Sequence, residues 1–467
     1  MHHSLTIRIL VVLLAIVLIL TVVSAVTAPP QLKVDNGSSV GVPAAQSVWA
    51  KTYGGEGDDR AFSMLQVGED FLVVGSTKEI NTTMGWALML NGTGDAVWNR
   101  TYLEGAGTEI RYAVNTTRGY LFVGNMFTSN GDQNGYAFEV DSMGTIIWQV
   151  TLGGEKTDKF FGGVVLPDGF CLYGLTNSYG NTATAAWVVR LDTSGNLLWD
   201  NSYQQGADCA LRSGVADDIG LVASGYADAT GDGNYDFLLL KIAPNGNIVW
   251  NRTYGGVEAE KAYSMTNAAD GYVLTGEIES QKTSTDTWVL KVDYQGNPQW
   301  ARTMGGDLAD SPSYITDAKD SGFLICGFTF SFGGGNRDFW LTKLSAEGNV
   351  LFSCTYGDGS FQEAYSVIDL GENLYVLAGW TDPVGKPELI GSAKYDFLAV
   401  ELNAPEESQN PASLWLIAAW VVFGFALAAA VLHWVLLKKG DLKIKLRWPK
   451  IKWPKIKWPK KWPFTRW

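Results

Sequence analysis

Seven carboxylates recur through this chain at nearly even spacing: Asp59, Glu109, Asp158, Asp208, Glu260, Asp310 and Glu363. Each follows an aromatic residue by nine to eleven positions, after Trp49, Trp98, Trp148, Trp199, Trp250, Trp300 and Phe352. Acids held close together favour a bound cation or raised pKa values, so a ring of seven is a candidate calcium site. The competing reading is structural, with each carboxylate accepting backbone N–H bonds from a neighbouring unit. A second acidic run, Asp228-Ala-Thr-Gly-Asp232-Gly-Asn234-Tyr-Asp236, has oxygen ligands at alternate positions, as calcium loops do. It lacks the downstream glutamate of an EF-hand and falls where other units place a turn, so a polar turn competes with the metal site. Asp286, Asp338 and Asp396 match Asp236 without that loop.

Other chemistries have fewer candidates. The three histidines, His2, His3 and His433, lie in a leader and an apolar stretch, which excludes a Ser-His-Asp triad or histidine metal ligation between them. No residue in the body stands out as a catalyst. Paired carboxylates for glycoside cleavage stay open, because 47 acids in residues 29–437 offer many pairs whose separation the sequence does not give. The seven aromatics are candidate sugar platforms, but recurrence at one strand position points to packing between repeated units.

The elements that position these residues repeat about every fifty residues. In the second unit Tyr112-Ala-Val-Asn, Tyr120-Leu-Phe-Val-Gly124, Tyr136-Ala-Phe-Glu-Val140 and Ile146-Ile-Trp-Gln-Val150 read as four short strands separated by Gly, Asp and Asn turns. Seven sets of strands one to three follow one another, yet the first Trp-type fourth strand, Ser47–Tyr53, precedes them all. The expected fold is an all-β, seven-bladed propeller over residues 47–403, whose N-terminal strand completes the last blade and leaves no free sheet edge. Cys171, Cys209, Cys326 and Cys354 are expected to be free and mostly buried. Cys171 and Cys326 sit three blades apart, and a strand separates Cys326 from Cys354.

Tyr53-Gly-Gly55, Tyr254-Gly-Gly256, Gly305-Gly306 and Tyr356-Gly357 recur at the ends of the fourth strands, with Gly195-Asn196, Gly246-Asn247 and Gly296-Asn297 before the tryptophans. On these residues the repeat resembles the YGG/YLGG-type (SBBP-like) β-propeller repeats of microbial cell-surface proteins. Tyr102-Leu-Glu104 and Tyr203-Gln-Gln205 depart from it. The resemblance covers roughly the whole body and implies a fold more firmly than a biochemical role.

Charge and hydropathy set the expected address. Residues 29–437 hold 22 basic and 47 acidic residues, a net of −25, whereas 438–467 hold 12 basic residues and one acid. An acidic body argues against nucleic-acid binding. Residues 1–28 read as a signal peptide or an uncleaved N-terminal anchor, with 29–46 a linker, 404–413 a stalk and 414–437 a transmembrane helix. Lys438, Lys439 and the Lys/Trp/Pro-rich tail place the C-terminus in the cytoplasm and the acidic body outside the cell membrane. The prolines forbid a continuous helix in that tail, while its tryptophans and lysines suit the inner leaflet. Asn36, Asn81, Asn91, Asn99, Asn115 and Asn251 begin sequons, fitting a glycoprotein. The expected role is a membrane-anchored binding or adhesion module for a protein, glycan or cation. A structural envelope component and a carbohydrate-active enzyme are the alternatives.

Overall fold

Each unit folds as an antiparallel meander because its apolar, β-branched runs alternate with turn residues. Blade 1 consists of Arg60–Val67, Asp70–Glu79, Thr82–Leu90 and Ala96–Tyr102, hydrogen-bonded in that order. The computed structural model describes residues 42–404 apart from 56, 80, 180–182, 218–219, 280–283, 335, 358–359 and 383–395. Among the described residues there are seven such four-stranded sheets. Blades 2 to 6 occupy residues 107–152, 158–203, 208–254, 260–304 and 310–356. Blade 7 takes three strands from the C-terminal side, Gln362–Gly371, Leu374–Thr381 and Asp396–Asn403, and its fourth, Gln46–Tyr53, from the N-terminal side. Gln46 pairs with Asn403 and Tyr53 with Phe397, as the sequence requires for closure.

Apolar faces of adjacent blades make the core. Val376, Ala378 and Phe397 of blade 7 pack on Phe71, Val73 and Leu88 of blade 1, so the ring is closed by the same kind of contact that joins every other pair. The four cysteines are free and buried, Cys326 and Cys354 in one cluster with Phe352 and Tyr375.

The anchor aromatics belong to this packing. The Trp49 ring lies against Gly94 in the turn between strands three and four of blade 1, where a Cβ would come within 2.8 Å of it. Trp148 meets Gly195 and Trp300 meets Gly348 in the same way. The fourth-strand tyrosines reinforce the contact: the Tyr102, Tyr203 and Tyr254 hydroxyls donate to the Gly144, Gly246 and Gly296 carbonyls of the next blade at 2.8, 2.6 and 2.7 Å. Blade 7 lacks such a turn because its strands three and four come from opposite ends of the chain. There the anchor is Phe352, packed on Tyr375 at 5.6 Å between centroids.

Two bulges recur in each blade. One falls on the outer strand beside the anchor and leaves Val97, Leu198 and Val249 about half exposed, at 57%, 54% and 48%. The other interrupts the innermost strand and faces the axis. Asn81, Asn99, Asn115 and Asn251 are exposed, whereas the Asn91 side-chain oxygen accepts N–H bonds from Thr93 and Asp95. Asn36, the leader, the stalk, the apolar stretch 414–437 and the basic tail lie outside the described residues. Among the described residues no helix is long and apolar enough to cross a membrane.

Candidate functional site: the mouth of the axial cavity

The expected carboxylate ring is divided by the register of the innermost strands. Asp59, Asp158, Glu260 and Asp310 all follow their anchors by ten residues, and all four turn into the crossover that links one blade to the next. Their carboxylates accept the backbone N–H of Gly55, Gly154, Gly256 and Gly306, four residues earlier, at 2.8, 2.7, 3.3 and 2.7 Å. Asp158 also takes the hydroxyls of Thr176 and Ser178, and Asp310 those of Thr329 and Ser331. These carboxylates latch the crossover to the first two strands.

The latch explains the paired glycines. A Cβ at Gly305 would stand 2.2 Å from Asp286 Oδ1 and 3.0 Å from Asp310 Oδ2, on a backbone with φ of 155°. One at Gly255 would stand 1.9 Å from Asp236 Oδ1. Third-strand acids such as Asp286, Asp338 and Asp236 thus close on the crossover from the other side. The two blades that depart from the glycine pattern use other acceptors at the same place. Glu104 N–H donates to Thr108 Oγ1 at 2.7 Å, and Gln205 N–H to Cys209 Sγ at 3.3 Å.

Glu109 and Glu363 follow their anchors by eleven residues, and a one-residue slip sends a strand side chain to the opposite face. Both point to the axis, and both are paired with arginine: Glu109 with Arg111 at 2.8 Å, and Glu363 with Arg337. Asp208, at nine residues, accepts the Tyr235 hydroxyl at 2.8 Å. The seven acids therefore occupy three kinds of position rather than one ring. In the Asp228 loop, the Asp228 carboxylate accepts N–H bonds from Thr230, Gly231 and Gly233 at 3.1, 2.6 and 2.8 Å, and Asp232 accepts that of Asn234. Burial raises the pKa of Asp236. Among the described residues no three His, Cys, Asp or Glu side chains stand where they could hold a metal ion.

What surrounds the axis is set by the inner bulge. In every blade one first-strand residue is skipped by the pairing: Phe62, Arg111, Phe161, Arg212, Tyr263, Ser313 and Tyr365. A bulge re-aims its side chain, and all seven line one cavity of about 490 Å³. Each follows its anchor by thirteen residues. The Arg111 guanidinium stacks on Phe62 at 4.2 Å and that of Arg212 on Phe161 at 4.0 Å, with Tyr263 at 5.8 Å. Tyr365 meets Phe62 edge-on at 5.5 Å. One step deeper, Tyr173 reaches the axis from a second strand by passing over Gly162, where a Cβ would lie 2.3 Å from its hydroxyl. It adjoins Tyr112 and Tyr314, and burial pushes the pKa of all three upward.

Two positions before the bulge, on the same face, stand Arg60, Glu109, Lys159, Ala210, Lys261, Ser311 and Glu363. Arg337 joins them by lying over Phe328 at 3.6 Å. Lys261 sits 4.4 Å from the Tyr235 ring. Burial lowers the pKa of Lys159, and the charges of Arg111 and Arg212 push it the same way. Glu363 is raised by its burial against the opposing effect of Arg337. Six cations thus gather with three acids, Glu109, Glu277 and Glu363, at the axis of a body whose net charge is −25. The mouth expected to be acidic is basic and aromatic.

The mouth also has a direction. Inner strands start at the crossover end, so this mouth opens there. The described chain enters at Gln46 and leaves at Asn403 on the opposite face, that of the turns between strands three and four.

No family model matches this chain, and no curated protein matches it. It is similar in outline to several solved structures. Sqt1 of Chaetomium thermophilum, bound to the N-terminus of ribosomal protein L10, is 12% identical over 77% of this chain and 100% of that chain, with a TM-score of 0.43. A puromycin hydrolase is 15% identical over 73% and 53%, with a TM-score of 0.45. The β-propeller domain of the Trilobed protease from Pyrococcus furiosus is 9% identical over 76% and 98%, with a TM-score of 0.42. The propeller assignment rests on this chain's own seven hydrogen-bonded sheets.

Proposed function

We propose that this protein is a membrane-anchored binding module displayed outside the cell, and that it takes a protein or glycan segment at the mouth of the axial cavity. The observation that carries the reading is the reversal of charge at that mouth, where Arg111, Arg212 and Lys261 line the cavity among aromatic rings, with Arg60, Lys159 and Arg337 beside them, in an otherwise acidic body. Buried or crowded like charges cost stability, and a fold has no need of them where a serine also serves, as Ser313 does at the same bulge.

The membrane address is supported by the apolar run 414–437 and the basic residues after it. Both ends of the ring leave by one face and the mouth opens on the other. The low-complexity Lys-Trp-Pro tail then lies against anionic headgroups of the inner leaflet, each lysine contributing about 1 kcal/mol near the surface.

Intact cells carrying the full chain and treated with a membrane-impermeant amine reagent test the topology. The exposed ring lysines Lys78, Lys156 and Lys319 are expected to be modified at once. The tail lysines from Lys438 to Lys461 should react only after permeabilisation. The opposite pattern, with the tail labelled first and the ring protected, would remove the surface-display reading.

A further inference from the structure

We propose that the axial mouth is a site for a carboxylate carried on a flat, apolar body, gripped by Arg212 with Arg111 beside it. The inference rests on the reading of the mouth as a binding surface and names the chemistry it selects. Arg212 projects from the inner bulge of blade 4, its guanidinium against the Phe161 ring at 4.0 Å. Stacking occupies the flat face of a guanidinium and leaves its in-plane N–H groups for a partner. Among the described residues no carboxylate pairs with Arg212, and its charged neighbours at this level, Arg111 and Lys159, are also cations. Arg111 gives one nitrogen to Glu109 at 2.8 Å and keeps a buried Nε without an acceptor. Two arginines held by rings, each with donors to spare, form half of a charge-assisted hydrogen-bonding site.

The remaining wall decides which anion. Glu109, Glu277 and Glu363 share the mouth, and Glu277 accepts a bond from the Tyr263 hydroxyl. Beside three acids a doubly charged phosphate meets repulsion that a single carboxylate largely escapes, and a carboxylate matches the planar fork of Arg212. Phe62, Phe161, Tyr263 and Tyr365 offer ring faces and edges to whatever carries the anion. A cavity of about 490 Å³ lies within the usual span of small-ligand sites and accommodates one aromatic acid or the last residue of a peptide. Cation ligands are excluded by the surrounding arginines and lysines.

The full chain in nanodiscs, titrated by calorimetry at low salt, tests this. The probes are N-acetylphenylalanine, its amide, inorganic phosphate, and a hexapeptide ending in phenylalanine with a free or amidated C-terminus. Saturable binding of the two free acids is expected, with the amides at least about tenfold weaker and phosphate weaker than either acid. Tighter binding of the free-acid peptide would identify a chain terminus as the source of the carboxylate, and tighter binding of the amino acid a small metabolite. Arg212→Met should weaken the acids by about thirtyfold or more, and Arg212→Lys, which keeps charge but loses the fork, by about tenfold. Lys159→Glu, at a partly exposed position beside both arginines, places an acid within the site and should weaken binding even if Arg212→Met folds poorly. Equal binding of acid and amide, preference for phosphate, no saturation by either acid, or affinity unchanged in Arg212→Met and Lys159→Glu would each overturn the proposal. Such a failure would leave the surface-display reading standing, since the labelling pattern decides that separately.

Discussion

Two positions on the innermost strands, three residues apart, behave in opposite ways around the ring. Ten residues after the anchor stand Asp59, Thr108, Asp158, Cys209, Glu260, Asp310 and Gln362. In the first six the side chain accepts the N–H of the residue four earlier, whether by carboxylate, hydroxyl or thiol. Thirteen residues after the anchor stand Phe62, Arg111, Phe161, Arg212, Tyr263, Ser313 and Tyr365, which share a backbone geometry and no chemistry. The first set is constrained because a crossover amide would otherwise be left without an acceptor. The second set owes nothing to its own backbone, so its side chains are free to be chosen for what enters the cavity. Regularity marks the scaffold here, and irregularity within a regular geometry marks the proposed site.

The largest effect should come from forcing the latch open. Gly305→Ala places a methyl against Asp286 and Asp310 on a backbone that disfavours side chains. A loss of more than about 3 kcal/mol is expected in urea unfolding, with blade 6 first to lose amide protection. Asp310→Ala leaves the Gly306 amide and the Thr329 hydroxyl without their acceptor and should cost about 3 kcal/mol by the same measurement. A neutral outcome for either would separate the repeat pattern from stability.

A smaller effect separates the latch members by pH. Burial raises the Glu260 pKa from 4.5 to about 7, with Asp236 and Glu258 adding to the shift. The folded protein therefore holds a proton there that the unfolded chain has already released. Between pH 4.5 and 7 the native state binds more protons, so this residue's contribution to stability falls as pH rises through that window. Glu260→Gln should flatten the corresponding slope in melting temperature measured from pH 4.5 to 7.5. A slope unchanged in the variant would place the titration elsewhere.

Much of this architecture was readable from residue order. The seven anchors, the turns before them and the displaced strand Ser47–Tyr53 fixed the blade number and the closing pair, because both depend on local patterning and on counting. The latch was half visible. The acids are plain in the sequence, but their spacings of nine, ten and eleven mix two faces, because a strand places neighbouring residues on opposite faces. Holding the spacing at ten would have replaced Glu109, Asp208 and Glu363 with Thr108, Cys209 and Gln362. The bulge residues carried no such signal, since a single Arg212 in an apolar strand reads as a surface residue until the skipped pairing turns it to the axis. The sign of charge at the mouth was lost for the same reason: it depends on residues from seven blades and on Arg337 from a loop.

The smallest expected change in stability is also the most telling. Arg212→Met removes a cation that has no carboxylate partner among the described residues, and it sits at the position where five of the other six blades carry phenylalanine, tyrosine or serine. The central claim is tested most directly by measuring urea stability and N-acetylphenylalanine affinity side by side in Arg212→Met and Asp310→Ala. Stability within about 0.5 kcal/mol of the parent with acid binding weakened by about thirtyfold or more is predicted for the first, and a loss of about 3 kcal/mol for the second. An Arg212→Met protein that unfolds as easily as Asp310→Ala, or that binds the acid as the parent does, would contradict the division between scaffold and site.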